Sequence, residues 1–242
     1  MNGKTVLWSV GAGALAVLAS TLAVPTTAAA QGKVTGKVTF EGTPPERNKL
    51  RMDADPVCAA AHTTPVLGEE IVVGEGGGLQ NVFVYVKEGV PQKDYPPPST
   101  PAVIDQKGCQ YHPHVLGVQV GQDLQILNND QTLHNVHGMP KQNAQFNFAM
   151  PKFVKKKDHK FETPETMVAV KCDVHPWMQS YVGVLPHPFF AVTKEDGTFE
   201  IAGLPPGEYT LEAWQEKLGP QTAKVTVGAD GSATSDFSFK GS

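Results

Sequence analysis

Short apolar–polar alternations, each closed by a turn, run through nearly the whole chain and leave little room for anything but β-structure. "GKVTGKVTF" alternates Val34, Gly36, Val38 and Phe40, and "LQNVFVYVKE" is a run of β-branched and aromatic residues. "VLGVQVGQDLQILNND" holds two short strands joined at Gly121-Gln122, and "ETMVAVKC" is another strand. "HPFFAVT", "GTFEIAG", "GEYTLEAW", "TAKVTVG" and "ATSDFSF" follow, separated by "EDG", "LPPG" and "GADG". Strands of this length at this spacing point to all-β sandwiches. No amphipathic helix is evident, and "DADPVCAAAH" has room for a single helical turn.

Three segments punctuate the pattern. "GEGGG" is a flexible turn, "YPPPSTP" a stiff extended linker, and "PKFVKKKDHKF" (151–161) a basic loop. The linker and the "VLPHPFF" junction bound a central β module, residues 101–187, flanked by 31–100 and 188–242. Residues 1–30 combine Lys4, an apolar run and Ala28-Ala29-Ala30, the pattern of a secretory signal peptide. An uncleaved anchor is the alternative. With the leader removed, the expectation is an exported, periplasmic protein with no membrane span. Loss of Lys4 and of no acid leaves 19 basic against 24 acidic residues, a net charge of −5, which argues against general nucleic-acid binding.

Three cysteines in an exported chain leave one thiol over or ligated. Cys58 and Cys109 sit in turn-rich surroundings, whereas Cys172 follows an alternating strand. The economical assignment is a Cys58–Cys109 disulfide with Cys172 held by something else. Free or metal-bound Cys58 and Cys109 stay open on sequence alone.

"VKCDVHPWMQ" spaces Cys172, His175 and Met178 three residues apart, and "NNDQTLHN" places His134 after an earlier strand. Copper cycling between Cu(I) and Cu(II) favours two imidazoles and a thiolate in a trigonal plane, with a long axial thioether. One histidine from a distant strand and Cys, His and Met from one tight loop supply that set. Zinc accepts the cysteine and histidines but seldom recruits methionine. "CQYHPHV" offers a different possibility: Cys109, His112 and His114 along an extended segment, joined by His137, as a second metal site. The competing reading is a disulfide cysteine beside two packed histidines. His62, His159 and His187 read as structural or solvated.

"LHNVHG" and "CDVHPWM" resemble the copper loops of cupredoxins of the amicyanin/plastocyanin-like type, over roughly residues 103–185. The resemblance implies a Greek-key β-sandwich with one copper on His134, Cys172, His175 and Met178. It also implies that Asn135 ties the two loops together near the thiolate. "T-x-x-DG-x-F-x-I-x-GLPPG-x-Y" resembles the carboxypeptidase regulatory-like, transthyretin-like sandwich. The opening strands of such a domain appear instead near the other end, as "VTGKV" and "NVFVYV". Residues 33–95 and 188–240 are therefore expected to form one small Ig/transthyretin-like sandwich with the copper module inserted between them.

A site with three strong ligands and one weak one has no obvious place for substrate, so the expectation is an electron carrier and not an enzyme. His175 is then the solvent-edge ligand, rimmed by Pro176 and Trp177, with Met139-Pro140 nearby as further apolar rim. Lys152, Lys155, Lys156, Lys157 and Lys160 are offered to an acidic redox partner, such as a c-type cytochrome or a periplasmic dehydrogenase. The alternatives are a copper chaperone or storage protein, and a copper-enzyme subunit using His112, His114 and His137.

Overall fold

The computed structural model describes residues 1–5, 7, 32–229 and 231–241. The expected leader falls almost wholly outside the described residues. Among the described residues no helix is long and apolar enough to cross a membrane.

The chain is all-β. Its strands are β1 (Gly32–Glu41), β2 (Phe83–Glu88), β3 (Ala102–Lys107), β4 (Gln110–His112), β5 (Val115–Gln119) and β6 (Asp123–Asn128). Then come β7 (His134–Met139), β8 (Phe146–Met150), β9 (Lys156–Lys160), β10 (Glu165–Lys171), β11 (Gln179–Leu185) and β12 (Phe190–Val192). The last are β13 (Thr198–Leu204), β14 (Gly207–Gln215), β15 (Gly219–Val227), β16 (Ser232–Thr234) and β17 (Phe237–Lys240). One short helix, α1 (Pro56–Ala60), is capped by Asp55.

Strands from the two ends of the chain share one core. β1 pairs antiparallel with β13 and parallel with β16 and β17. The sheet β12-β2-β14-β15 packs with it around Val34, Val38, Val84, Ile201 and Leu211. In β1 the period-two alternation turns Val34, Val38 and Phe40 inward and Lys33 out, as a strand with one buried face requires.

The intervening strands build a second two-sheet unit. Its sheets run β5-β11-β10-β7-β8 and β4-β3-β6-β9, closing over Ile104, Leu124, Ile126, Val136, Val170 and Val182. β11 is buried almost continuously because it is covered on both faces. One face packs on this second core and the other on a seam where Phe83 and Tyr85 of β2 meet Val115 and Leu185. Gly183 makes the approach possible, since a Cβ there would lie 2.5 Å from the Phe83 ring. The seam also carries a buried ion pair, His114 Nε2 to Glu216 at 2.5 Å.

Two stretches differ from the sequence reading. The basic segment expected as a loop holds β9, an edge strand paired with β6. Its lysines suit such an edge, because charge there opposes pairing with another chain. Two of them are answered locally, Lys156 by Asp158 and Lys160 by Asp123, each at 3.3 Å. Residues 49–66, grouped by sequence with the N-terminal strands, pack on the second core instead. Met52 and Cys58 are buried in it, and Cys58 is joined to Cys109 by a disulfide. A cross-link spanning 51 positions is worth roughly 2–4 kcal/mol through the unfolded chain.

Candidate metal centre

β7 and β10 run antiparallel, with Lys171 opposite His137, so the start of one and the end of the other reach the same edge of the sheet. His134 opens β7 there, and the loop carrying Cys172, His175 and Met178 leaves β10 there. The loop is wound tight by its own backbone. Met178 N–H donates to His175 O at 2.9 Å, and Cys172 N–H to Met178 O at 3.2 Å.

Three ligand-type atoms converge. His134 Nδ1 lies 2.9 Å from His175 Nδ1, and Cys172 Sγ lies 3.8 Å from His175 Nδ1. All three side chains are buried, and Met178 is buried in the same core. Among the described residues this is one of three groupings whose atoms lie within 4.8 Å of one another; the other two share its histidines and involve the disulfide cysteines. A buried sulfur facing two imidazole nitrogens is a donor set that fits a soft or borderline metal ion.

The remote ring nitrogens are held by carboxylates. His134 Nε2 is 2.9 Å from Asp130 Oδ2, and His175 Nε2 is 3.0 Å from Asp55 Oδ2. Each Nε2–H then donates outward and leaves Nδ1 facing the centre, the arrangement by which outer carboxylates fix a metal-binding imidazole. Asp130 also accepts the amides of Gly108 at 2.7 Å and Cys109 at 2.8 Å. Asp55 accepts the amide of Val57 at 2.8 Å and the hydroxyl of Thr132 at 2.9 Å. Its Oδ1 also lies 3.4 Å from the Cys58 amide. Each half of the disulfide is thus fastened to the carboxylate that holds one imidazole.

Electrostatics follow from these contacts. Burial works against a charged His134 ring, but the bond to Asp130 and the neighbouring Cys172 sulfur outweigh it and lift its pKa to about 9. Burial likewise resists a Cys172 thiolate, yet His134 and the amides of Asn135 and His175 bring the thiol below its usual value. His175 moves the other way, lowered by burial and by the charge of His134 despite Asp55. Without metal these contacts therefore favour positive charge on His134 and disfavour it on His175, and they ease ionisation of the Cys172 thiol.

Asn135 joins the two loops. Its Oδ1 accepts the Asp173 amide at 2.6 Å, its Nδ2 donates to Asp173 Oδ2 at 2.9 Å, and its own amide lies 3.5 Å from Cys172 Sγ. Tyr111 supports it, the hydroxyl donating to Asn135 O at 2.6 Å.

The expectation of a solvent-edge His175 is corrected. The residue is only 2% exposed, because the segment bearing Asp55 and Cys58 lies across its outer edge. Trp177 is half-buried and donates its indole N–H to Cys109 O at 3.0 Å, while Pro176 and Val174 beside it are exposed. An open hollow of about 850 Å³ lies beside this cover, with Pro56, Pro176, Trp177 and His175 among its walls.

The histidines offered for a second metal are dispersed. His114 is tied to Glu216, His137 bonds Asp173 at 3.1 Å, and His112 is exposed against Lys107 O. Among the described residues no ligand cluster contains any of them. Of the partners that sequence reasoning missed, Asp130 had a local signal, four residues before His134 in an Asn-Asn-Asp turn. Asp55 lay in the segment with room for a single helical turn, with nothing to connect it to a residue 120 positions away.

The family model of the carboxypeptidase regulatory-like domain matches residues 186–240. No curated protein matches the chain. Among solved structures the chain is similar to an oxidized proline-to-alanine mutant of amicyanin, at 25% identity and TM-score 0.32, over 35% of this chain and 81% of that one. It is also similar to a purple cupredoxin from Nitrosopumilus maritimus, at 23% identity and TM-score 0.30, over 34% of this chain and 98% of that one. A copper-containing nitrite reductase from Thermus scotoductus aligns at 19% identity and TM-score 0.30, over 41% of this chain but 25% of its own length. The chain thus matches the carboxypeptidase regulatory-like family over its last strands and has cupredoxins among its solved-structure neighbours.

Proposed function

We propose that this is an exported blue-copper protein that holds one copper ion through His134, Cys172, His175 and Met178 and carries single electrons between redox partners. The observation that carries the reading is the buried triangle of two Nδ1 atoms and one sulfur, with both remote nitrogens on carboxylates. Copper supplies a one-electron Cu(I)/Cu(II) couple. The protein's part is to hold that geometry fixed. Asp130 and Asp55 orient the rings, Asn135 and the loop amides keep Cys172 as an acceptor, and burial excludes water. A centre so constrained rearranges little between oxidation states, which suits electron transfer.

We further read residues 101–187 as the copper module, inserted into a sandwich formed by the flanking strands. Export accords with the Cys58–Cys109 bond, which persists in oxidising compartments. The partner, in this reading, is an acidic redox protein such as a c-type cytochrome or a periplasmic dehydrogenase, met at Pro176 and the hollow beside it. Copper storage is the second reading, favoured by the cover over His175.

Titration of the metal-free protein with copper tests the proposal. One equivalent, an intense thiolate-to-copper charge-transfer band and a small copper hyperfine splitting in EPR support the electron carrier. A colourless protein that takes only Cu(I) sinks it in favour of storage.

A further inference from the structure

We propose that Asp55 is a positioning residue of the metal centre, carried in by the segment that covers His175, and that it biases the site toward Cu(II). The inference rests on the copper reading above and adds to it a residue outside the loops that supply the ligands.

The geometry is specific. Asp55 Oδ2 accepts from His175 Nε2 at 3.0 Å and from Thr132 Oγ1 at 2.9 Å, while Oδ1 caps α1 through Val57 at 2.8 Å. Both oxygens are thus committed, and the carboxylate cannot rotate away without losing the cap. The segment itself is pinned at both ends of the contact. Met52 is buried in the second core, and Cys58 is bonded to Cys109, whose amide is held by Asp130.

Three consequences follow. First, the His175 ring is fixed before metal arrives, with Nε2–H outward and Nδ1 inward. Second, a full negative charge sits one imidazole away from the metal, matching that of Asp130 behind His134. Anionic acceptors on ligand rings raise ligand basicity and stabilise the more positive ion. The Cu(II) state gains more than Cu(I), and the reduction potential falls. Third, the poise of the centre depends on a segment remote in sequence, and the disulfide couples that segment to the turn that orients His134.

Two substitutions separate the carboxylate from the cap. Asp55→Asn and Asp55→Ser keep an oxygen able to cap α1, but neither offers His175 an anionic acceptor. Competition with chromophoric chelators for Cu(II) and for Cu(I) gives the ratio of affinities. The expected result is a Cu(II) affinity lowered about 10- to 100-fold, a smaller change for Cu(I), and a potential shifted upward. In metal-free protein, nitrogen-15 NMR is expected to show a protected His175 Nε2–H that is lost in both variants. The proposal is overturned if folded variants keep the wild-type affinity ratio, or if the Nε2–H stays protected. A wild-type chain that takes up no copper overturns the copper reading and this inference together. Wild-type uptake with indifferent variants overturns this inference alone.

Discussion

Asp55 and Asp130 grip the two imidazoles of the centre from outside, each through a carboxylate oxygen about 3 Å from Nε2, and each also holds the amide side of one disulfide cysteine. The disulfide is therefore part of the frame of the metal centre as well as a cross-link. It fastens an N-terminal segment to the β3–β4 turn, and the two carboxylates transmit that fastening to the rings. The inner geometry depends on these outer contacts.

The ligand assignment has a spectroscopic consequence. Cys172→Ser removes the thiolate that donates charge to copper in the visible band, and the copper-loaded variant is expected to be colourless. Met178→Leu removes only the weak axial donor, so the colour is expected to persist while the potential rises, since thioether loss disfavours Cu(II) less than thiolate loss but in the same direction. Visible absorption and voltammetry of the two variants decide it. A blue Cys172→Ser protein refutes the assignment.

Asp130 has a structural consequence that does not depend on metal. Its carboxylate accepts the amides of Gly108 and Cys109 and the ring of His134, and it is largely buried. Each donor left without a partner costs about 1–3 kcal/mol. Asp130→Ala is expected to lower the stability of the metal-free protein by at least 2 kcal/mol in urea unfolding, and a loss below 0.5 kcal/mol contradicts the clamp.

The seam has a pH dependence. Burial alone depresses the His114 pKa, but the bond to Glu216 and the charges of Glu216 and Glu69 raise it above the ordinary histidine value. A folded-state pKa above the unfolded one means that the stabilisation is complete below about pH 6.5 and is lost as pH rises through the folded value. The hydroxyl of Tyr181 and the amide of Gln179 also face Glu216 and do not titrate in this range as acids of comparable strength. Wild type is expected to exceed His114→Gln by about 1.5–3 kcal/mol at pH 6, with the gap closing toward alkaline pH. Urea midpoints of the copper-loaded pair at several pH values measure it, and a gap independent of pH refutes it.

Much of this was legible from the residues because it is local. Alternation in β1, β10 and β13 is written in single strands, and the Cys172 loop sets its own hydrogen bonds within seven residues. The edge strand β9 was not legible, because "KKDHK" has no apolar face and owes its structure to pairing with β6. The cover over His175 was not legible either. It depends on Met52, Asp55 and Cys58 meeting partners across the fold, and no periodicity encodes a contact of that kind. The indole bond from Trp177 to Cys109 O was not legible for the same reason, because it too crosses the fold.

Phe83 provides the last test, because one side chain joins the two sandwiches. It is fully buried, it stacks near Tyr85 and Phe190 at centroid distances of 5.5 and 5.6 Å, and it fills the space left by Gly183 and Gly117. Phe83→Ala opens a cavity whose walls belong to different sheets, and losses of about 3–5 kcal/mol are typical of such a deletion. The loss falls on the seam more than on either core. Calorimetry of the copper-loaded protein is therefore expected to show one cooperative transition in wild type and two in the variant, the copper colour disappearing with only one of them. A single transition that merely moves to lower temperature means that the sandwiches are coupled elsewhere, with the His114–Glu216 pair the next contact to remove.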